Sequence, residues 1–408
     1  MGNSRGRNGI NNGVFPPDEE LEKILLDDER WALSLPLRIR YLQQDHHIYI
    51  GLTKLKALNK KFCVPSARKF IVVEEATATI ADIISHDLNQ SQGPDTVKKI
   101  ASLRLNLTVP RDFVRTTMKG LVGQLPSERH RPGWGKGPKQ RSTLNTIGIF
   151  QEIHADGHEK LGEKALHMGP GIGIDTYGMR DHIGKILWLT VLPNSHLSDA
   201  VGHVFLDMVS AFGATSVQVT FDGGSELGWL AAFQTTLRET FAPALSAEEW
   251  KPVVAVQSSN NIPIESTWSY DRKFNVSSWE MNLFRWLWPN IVQIGLDEFL
   301  DYFNNKKTHK QRNRILPSGV ALNVVFDMPA DYGLQNLTIP VTQEAIQELR
   351  GLIETPREEA FRWVSDEFDM LATNIYNGLG SPKLETLSGW AIFHALAPLI
   401  RTEINSAV

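Results

Sequence analysis

The sequence predicts a mixed α/β protein in which a layered α/β core lies between two mainly helical regions. Three observations predict this class. Apolar residues follow a helical period before residue 123, strand-like and helical runs alternate after residue 144, and helical periodicity returns after about residue 330. The 408 residues are 42% hydrophobic and 22% charged, as expected for a globular chain with a sizeable core.

The amino-terminal region predicts a short tail and two helical units. Residues 1–16 are rich in glycine and asparagine, and we expect them to be disordered. Residues 17–69 predict three short helices and residues 70–122 predict three more. Each set has the outline of a helix-turn-helix-like unit, although an ordinary three-helix bundle also fits each pattern; two such units in tandem favour DNA binding more than either alone.

The third predicted helix of each unit carries basic residues on one side. A recognition helix would place them against DNA, whereas a plain solvated face needs no partner. The next segment, residues 123–145, is basic and rich in glycine and proline, which predicts a flexible linker able to follow phosphates. The basic positions on the two helices are Lys54, Lys56, Lys60, Lys61, Arg111, Arg115 and Lys119.

Charge divides unevenly along the chain. Residues 1–150 carry 23 basic and 15 acidic residues, a net charge of +8, and the remainder carries 19 and 31, a net charge of −12. A DNA-binding arm joined to a catalytic or partner domain would give this asymmetry, although chance can also produce it. The single cysteine, Cys63, excludes an internal disulfide, and no apolar run is long enough to predict a membrane partner.

Residues 146–330 predict a core whose elements follow the order of a ribonuclease H-like fold. The run "IGIFQEIHAD" predicts a buried strand, and "GIDTYGMR" and "KILWLTVLP" predict a hairpin around "DHIG". Helix, strand, helix, strand and helix then follow, which completes a mixed five-stranded sheet with helices. In that fold the ends of the first and fourth strands are adjacent. Residues 331–408 predict a helical carboxyl-terminal region.

Three acidic residues occur where these elements begin or end. We predict that Asp156 ends the first strand, Asp222 ends the fourth and Glu265 opens a helix, at spacings of 66 and 43 residues. Carboxylates that converge cannot all ionise without counter-charge. Two Mg²⁺ (or Mn²⁺) ions would supply it and would clamp the attacking and leaving oxygens of a phosphodiester. The sequence therefore predicts that all three residues are metal ligands and catalytic.

An alternative metal site uses the first aspartate alone. His154, Asp156 and His158 alternate, so a continuing strand would place them on one face. Two histidines and a carboxylate suit zinc or iron. This interpretation leaves Asp222 and Glu265 without a role.

Several of these segments also resemble a known family. "HADGHEKLG", "VTFDGGSELGW" and "NNIPIESTW" resemble integrase core domain proteins of fungal genomes, relatives of retroviral integrases and DDE transposases, and the similarity covers most of residues 35–330. It implies that Asp156, Asp222 and Glu265 are the metal-binding triad of a nuclear enzyme that cuts and joins DNA by two-metal phosphoryl transfer. It also implies a homo-oligomer, and it names no host protein partner.

The resemblance leaves a second interpretation of function open. Leu227, Asn260 and Ser266 differ from the residues usual in that family, so the alternative is a domesticated, catalytically inactive DNA-binding or scaffold protein that retains the integrase fold. A basic segment after residue 304 predicts either DNA-backbone contact or a solvated loop. Its cations are Lys306, Lys307, Lys310, Arg312 and Arg314.

Overall fold

The chain forms two compact units, Met1–Pro138 and Lys139–Val408. Their boundary falls within the segment predicted as a linker, and the finer division into six segments stays a prediction. The computed structural model describes residues 15–30, 33–64, 73–87, 92–105, 109–123, 146–158, 167–169, 172–222, 227–256, 278–310 and 316–406.

The first unit begins with three helices around one apolar cluster. Leu25, Leu42 and Leu55, one from each helix, are fully buried in it. Arg38 is also buried, and its guanidinium donates a hydrogen bond of 2.8 Å to the carbonyl oxygen of Leu25. The three predicted helices are thus confirmed as α1 (Asp18–Arg30), α2 (Leu35–Gln44) and α3 (Leu52–Lys61).

Three further helices surround a second apolar cluster in the same unit. Ile80, Val97 and Val114, again one from each helix, are fully buried there. Pro94 is the first residue of the middle helix, a position that lacks an intrahelical N–H partner in any case. The second predicted trio is thus confirmed as α4 (Val73–His86), α5 (Pro94–Leu105) and α6 (Arg111–Val122).

The second unit is built on a five-stranded mixed sheet with the order β6-β5-β2-β8-β9. Strands β2, β5 and β6 are antiparallel neighbours, whereas β8 runs parallel to β2 and β9 runs parallel to β8. The described strands are β1 (Gly148–Ile149), β2 (Glu152–His158), β3 (His167–Gly169), β4 (Ile172–Gly173), β5 (Asp175–Asp181), β6 (Ile186–Leu192), β7 (Ala214–Thr215), β8 (Gln218–Asp222), β9 (Val253–Val256), β10 (Gln335–Asn336) and β11 (Ile339–Pro340).

Helices cover both faces of this sheet. Ile153, Ala155 and Val219 face a large apolar cluster with α7 and α8, and Val191 of β6 joins a second cluster with α9, α13 and α14. A short 3₁₀ helix, Pro329–Tyr332, follows α10. The described helices of this unit are α7 (Ser198–Phe212), α8 (Gly228–Phe241), α9 (Ser278–Asn305), α10 (Leu322–Asp327), α11 (Gln343–Arg350), α12 (Arg357–Ala360), α13 (Asp366–Gly378) and α14 (Gly389–Ser406).

The first predicted strand is broken at Phe150, so the prediction of one buried run from Ile147 was wrong. Phe150 adopts a positive φ of 54°, and Ile147 is 45% exposed. A phenylalanine in this conformation costs about 1–3 kcal/mol and persists only where contacts hold it. Here its N–H donates a hydrogen bond of 2.7 Å to Oδ2 of Asp181, and its buried ring packs against Phe326.

The carboxyl-terminal region is mainly helical, but it also returns two short strands to the core. Strand β10 pairs in parallel with β1, and β11 pairs antiparallel with β7. Leu334, Val341 and Ile346 are buried in the same apolar cluster as the sheet. The prediction that residues 331–408 are helical was therefore wrong over residues 335–340.

Candidate functional site

One face of the central sheet is polar along β2 and β8. Side chains alternate along a strand, so Glu152, His154 and Asp156 share one face while Ile153 and Ala155 point into the core. Neighbouring strands share the pattern, because residues opposite one another lie on the same face. Gln218 and Thr220 of β8 are the register partners of Glu152 and His154.

Two predicted site residues, Asp156 and Asp222, lie at the same level of this face. The last register pair of β2 and β8 joins Ala155 to Phe221, and each aspartate is the next residue. Adjacent strands are about 4.8 Å apart, so the two backbones present their carboxylates side by side. Both residues are half-buried. The parallel pairing of β2 with β8 therefore brings together residues 66 positions apart in the sequence.

The position of Asp156 within its strand differs from the prediction. Asp222 is the last residue of β8, as predicted. Asp156, in contrast, lies inside β2, which continues to His158 through pairing with β5. The pairing of β2 with β8 nevertheless ends at Ala155 and Phe221, so Asp156 and Asp222 are the first residues beyond that pairing on their two strands. Glu265, the third predicted ligand, lies outside the described residues.

A second polar group on this face joins Glu152 and His154 to His182, which follows β5. Nε2 of His154 lies 2.9 Å from Nδ1 of His182. The carboxylate of Glu152 lies 3.0 Å from Nδ1 of His182 and 3.5 Å from Nε2 of His154. The three side chains are 19%, 5% and 13% exposed for Glu152, His154 and His182. Among the described residues, these three each offer one ligand atom within 4.8 Å of the others, so they could hold a metal ion.

The Glu152 carboxylate is held ionised by its surroundings. Burial by itself raises the pKa of Glu152, but a hydrogen bond with His182, the charge of His154 and a hydrogen bond from Thr220 lower it to about 2. The Thr220 hydroxyl donates this last bond over 2.5 Å. The backbone N–H of His182 also donates to the carbonyl oxygen of Glu152 over 2.9 Å. Hydrogen bonds thus hold both the side-chain carboxylate and the backbone carbonyl group of Glu152.

This group differs from the histidine–aspartate–histidine site that the sequence suggested. His154 is common to both, but the described contacts join it to Glu152 and His182. The side chain of His158 lies outside the described residues. Strand alternation points to Glu152, two positions before His154, whereas His182 is found only when the hairpin register is known.

The predicted basic residues of the first unit are exposed on α3 and α6. Two of them already have acidic partners, because Lys61 lies 2.5 Å from Asp18 and Arg111 lies 2.6 Å from Asp95. Exposed lysines and arginines remain suitable for phosphate contact, whatever their surface pairs, since such pairs are worth little. The other exposed members of the set are Lys54, Lys56, Lys60, Arg115 and Lys119.

The basic segment after α9 lies only partly within the described residues. Lys306 is half-buried with its ammonium 4.3 Å from the centre of the Phe303 ring, and burial followed by the charge of Arg180 lowers its pKa. Lys307 and Lys310 are exposed. Arg312 and Arg314 lie outside the described residues.

Comparison with known proteins does not identify a family for this chain. No family model and no curated protein matches the chain. Within the part of the chain that the structure describes, no helix is both long and apolar enough to cross a membrane.

Proposed function

We propose that this chain is a DDE-type polynucleotidyl transferase, similar to integrases and transposases, that cuts and joins DNA. The observation that carries the proposal is the side-by-side position of Asp156 and Asp222 at the end of the β2–β8 ladder. Such a pair needs counter-charge, and a nearby pair of carboxylates on a rigid sheet is a suitable ligand set for divalent cations.

The topology of the sheet supports a ribonuclease H-like fold for this core. Three antiparallel strands come first, then β8 pairs in parallel with β2 and β9 pairs in parallel with β8, which gives the order β6-β5-β2-β8-β9. This order makes the first and fourth long strands neighbours, as the proposed fold requires. Helices α7 and α8 each connect strands that run in the same direction.

The donor set fits Mg²⁺ or Mn²⁺. Both aspartates offer hard oxygen ligands, which these ions prefer, and Glu265 is proposed as the third. When bound, two such ions would neutralise the carboxylates and stabilise charge on the phosphodiester. The protein itself would position the reacting groups. Strands β2 and β8 fix the two aspartates that would hold the ions, and the exposed lysines and arginines would bind the DNA backbone.

The test is a nicking assay on supercoiled DNA with Mn²⁺. Wild type should nick, and Asp156→Asn and Asp222→Asn should each lose nicking while DNA affinity stays within about twofold. Asp297→Asn, an exposed aspartate on α9, is the matched control and should nick normally. Nicking that survives in Asp222→Asn would contradict the proposed site.

DNA affinity is measured in parallel by fluorescence anisotropy on a labelled duplex. We expect it to fall steeply as salt rises, because phosphate contacts release counterions. Salt-independent binding would contradict the role of the basic residues. DNA binding without nicking by any variant would instead support a domesticated binding or scaffold protein.

A further inference from the structure

The polar group of Glu152, His154 and His182 has no place in the proposed phosphoryl transfer. On β2, Glu152 lies two strand alternations and His154 one alternation before Asp156, and one ligand atom from each converges with one from His182 in the turn after β5. Its members are mostly buried, with a carboxylate that Thr220 holds in place. A buried group of this kind requires a partner for every polar atom.

Nδ1 of His182 makes two short contacts, and a single proton cannot be directed along both of them. Each ring nitrogen has either one N–H or one lone pair in the ring plane, and it points in a single direction. If His154 donates to Nδ1 of His182, the lone pair of Nδ1 is used and the Glu152 oxygen 3.0 Å away receives no proton from it. If His182 donates to Glu152, the contact of 2.9 Å between the two ring nitrogens has no proton directed along it.

A single cation placed between the side chains of Glu152, His154 and His182 would be a common partner for all three. Ligand atoms that lie about 2.0–2.2 Å from one tetrahedral zinc ion are separated from each other by about 3.3–3.6 Å, close to the spacing of these side chains. Here Nε2 of His154 lies 2.9 Å from Nδ1 of His182, and the carboxylate of Glu152 places Oε2 3.0 Å from Nδ1 of His182 and Oε1 3.5 Å from Nε2 of His154. One ligand atom from each of the three residues therefore lies within 4.8 Å of the other two. Two imidazoles and one carboxylate suit zinc and neighbouring transition metals better than magnesium, which prefers an all-oxygen set.

We propose that Glu152, His154 and His182 bind one Zn²⁺ ion that joins strand β2 to the β5–β6 turn. The ion would be a brace: it fixes the half of β2 that precedes Asp156. The hydroxyl of Thr220 would orient the carboxylate ligand, as outer hydrogen bonds commonly do at metal sites. This site is separate from the aspartate pair, so the zinc proposal does not depend on the proposed phosphoryl transfer.

The experiment is a Zn²⁺ titration of the full chain, purified without a histidine tag and stripped with EDTA. Isothermal titration calorimetry should show one tight site, and Co²⁺ in place of Zn²⁺ should give the visible absorption of a low-symmetry nitrogen–oxygen site. Glu152→Gln and His182→Ala should each weaken this site at least about 100-fold, since loss of an outer partner alone costs about 10–100-fold. Thr220→Val should weaken it about tenfold.

Two controls separate this site from other histidines and from the aspartate pair. His196→Ala removes an exposed histidine just after β6, and Asp222→Asn alters the aspartate pair; both should retain the tight site. Absence of a tight site in wild type would overturn the proposal whatever the variants do. Loss of the site in Asp222→Asn with retention in Glu152→Gln would also overturn it, because the ion would then belong to the aspartates. Circular dichroism confirms that each variant is folded.

Discussion

Replacing Gly202 with alanine tests the packing of α7 against α8. A Cβ atom added at Gly202 would lie 2.8 Å from Cβ of Trp229 and 3.2 Å from Cδ1 of Ile353. Trp229 cannot move aside easily, since its indole donates a hydrogen bond of 2.8 Å to Asp199 and its ring stacks on Phe233. Overpacking of this size costs about 1–3 kcal/mol, against about 1 kcal/mol gained from the helix propensity of alanine.

We therefore expect Gly202→Ala to lower the free energy of unfolding of the second unit by up to about 2 kcal/mol, and in no case to stabilise it. Urea denaturation followed by tryptophan fluorescence measures it, because nine of the eleven tryptophans lie in residues 139–408. Gly295→Ala is the matched control: nothing lies within 4 Å of the added Cβ, so it should stabilise by about 0.5–1 kcal/mol. Equal stabilisation by both substitutions would refute the packing argument.

Three other substitutions have expected outcomes, each measured by urea denaturation. Burial, with a smaller contribution from neighbouring charge, lowers the pKa of Lys99 to about 8. The folded first unit therefore loses this proton more easily than the unfolded chain, and its free energy of unfolding should rise by at most about 3 kcal/mol as pH increases from 8 to 10.5. Lys99→Met should abolish that rise. Asp207 accepts hydrogen bonds from Arg350 and Arg357. Asp207→Asn leaves the charges of both arginines poorly compensated, so it should lower the free energy of unfolding of the second unit by about 2 kcal/mol. An unchanged free energy of unfolding at pH 7 would contradict this. Thr342 accepts from the first turn of α11, so Thr342→Ala should cost about 1 kcal/mol.

The parts of the fold that local patterns determine could be predicted from the sequence. The six amino-terminal helices, the hairpin of β5 and β6, and the alternation of strands with α7 and α8 all follow from apolar periodicity and turn residues. The break at Phe150 could not be predicted this way. Its positive φ depends on a hydrogen-bond acceptor from Asp181, 31 residues away, and no local residue signals it.

The candidate site shows the same division. The element order predicted that the strands of Asp156 and Asp222 are neighbours, and their pairing confirms that adjacency. His182 could not be connected to Glu152 from the sequence, because the turn after β5 places it and turn geometry sets which side chains return over the sheet. The short strands β10 and β11 were missed because two-residue strands carry no periodicity.

The return of residues 335–340 to the core determines where the chain can be cut. A protein ending at residue 330, where the predicted core ends, would leave β1 and β7 without the strands that now pair with them. It would also uncover the side of the core that Leu334, Val341 and Ile346 now fill. Exposed strand edges beside apolar surface are sites of aggregation. The shortest fragment that could fold as the second unit therefore extends well past the last predicted catalytic element, and studies of the sheet require the carboxyl-terminal helices as well.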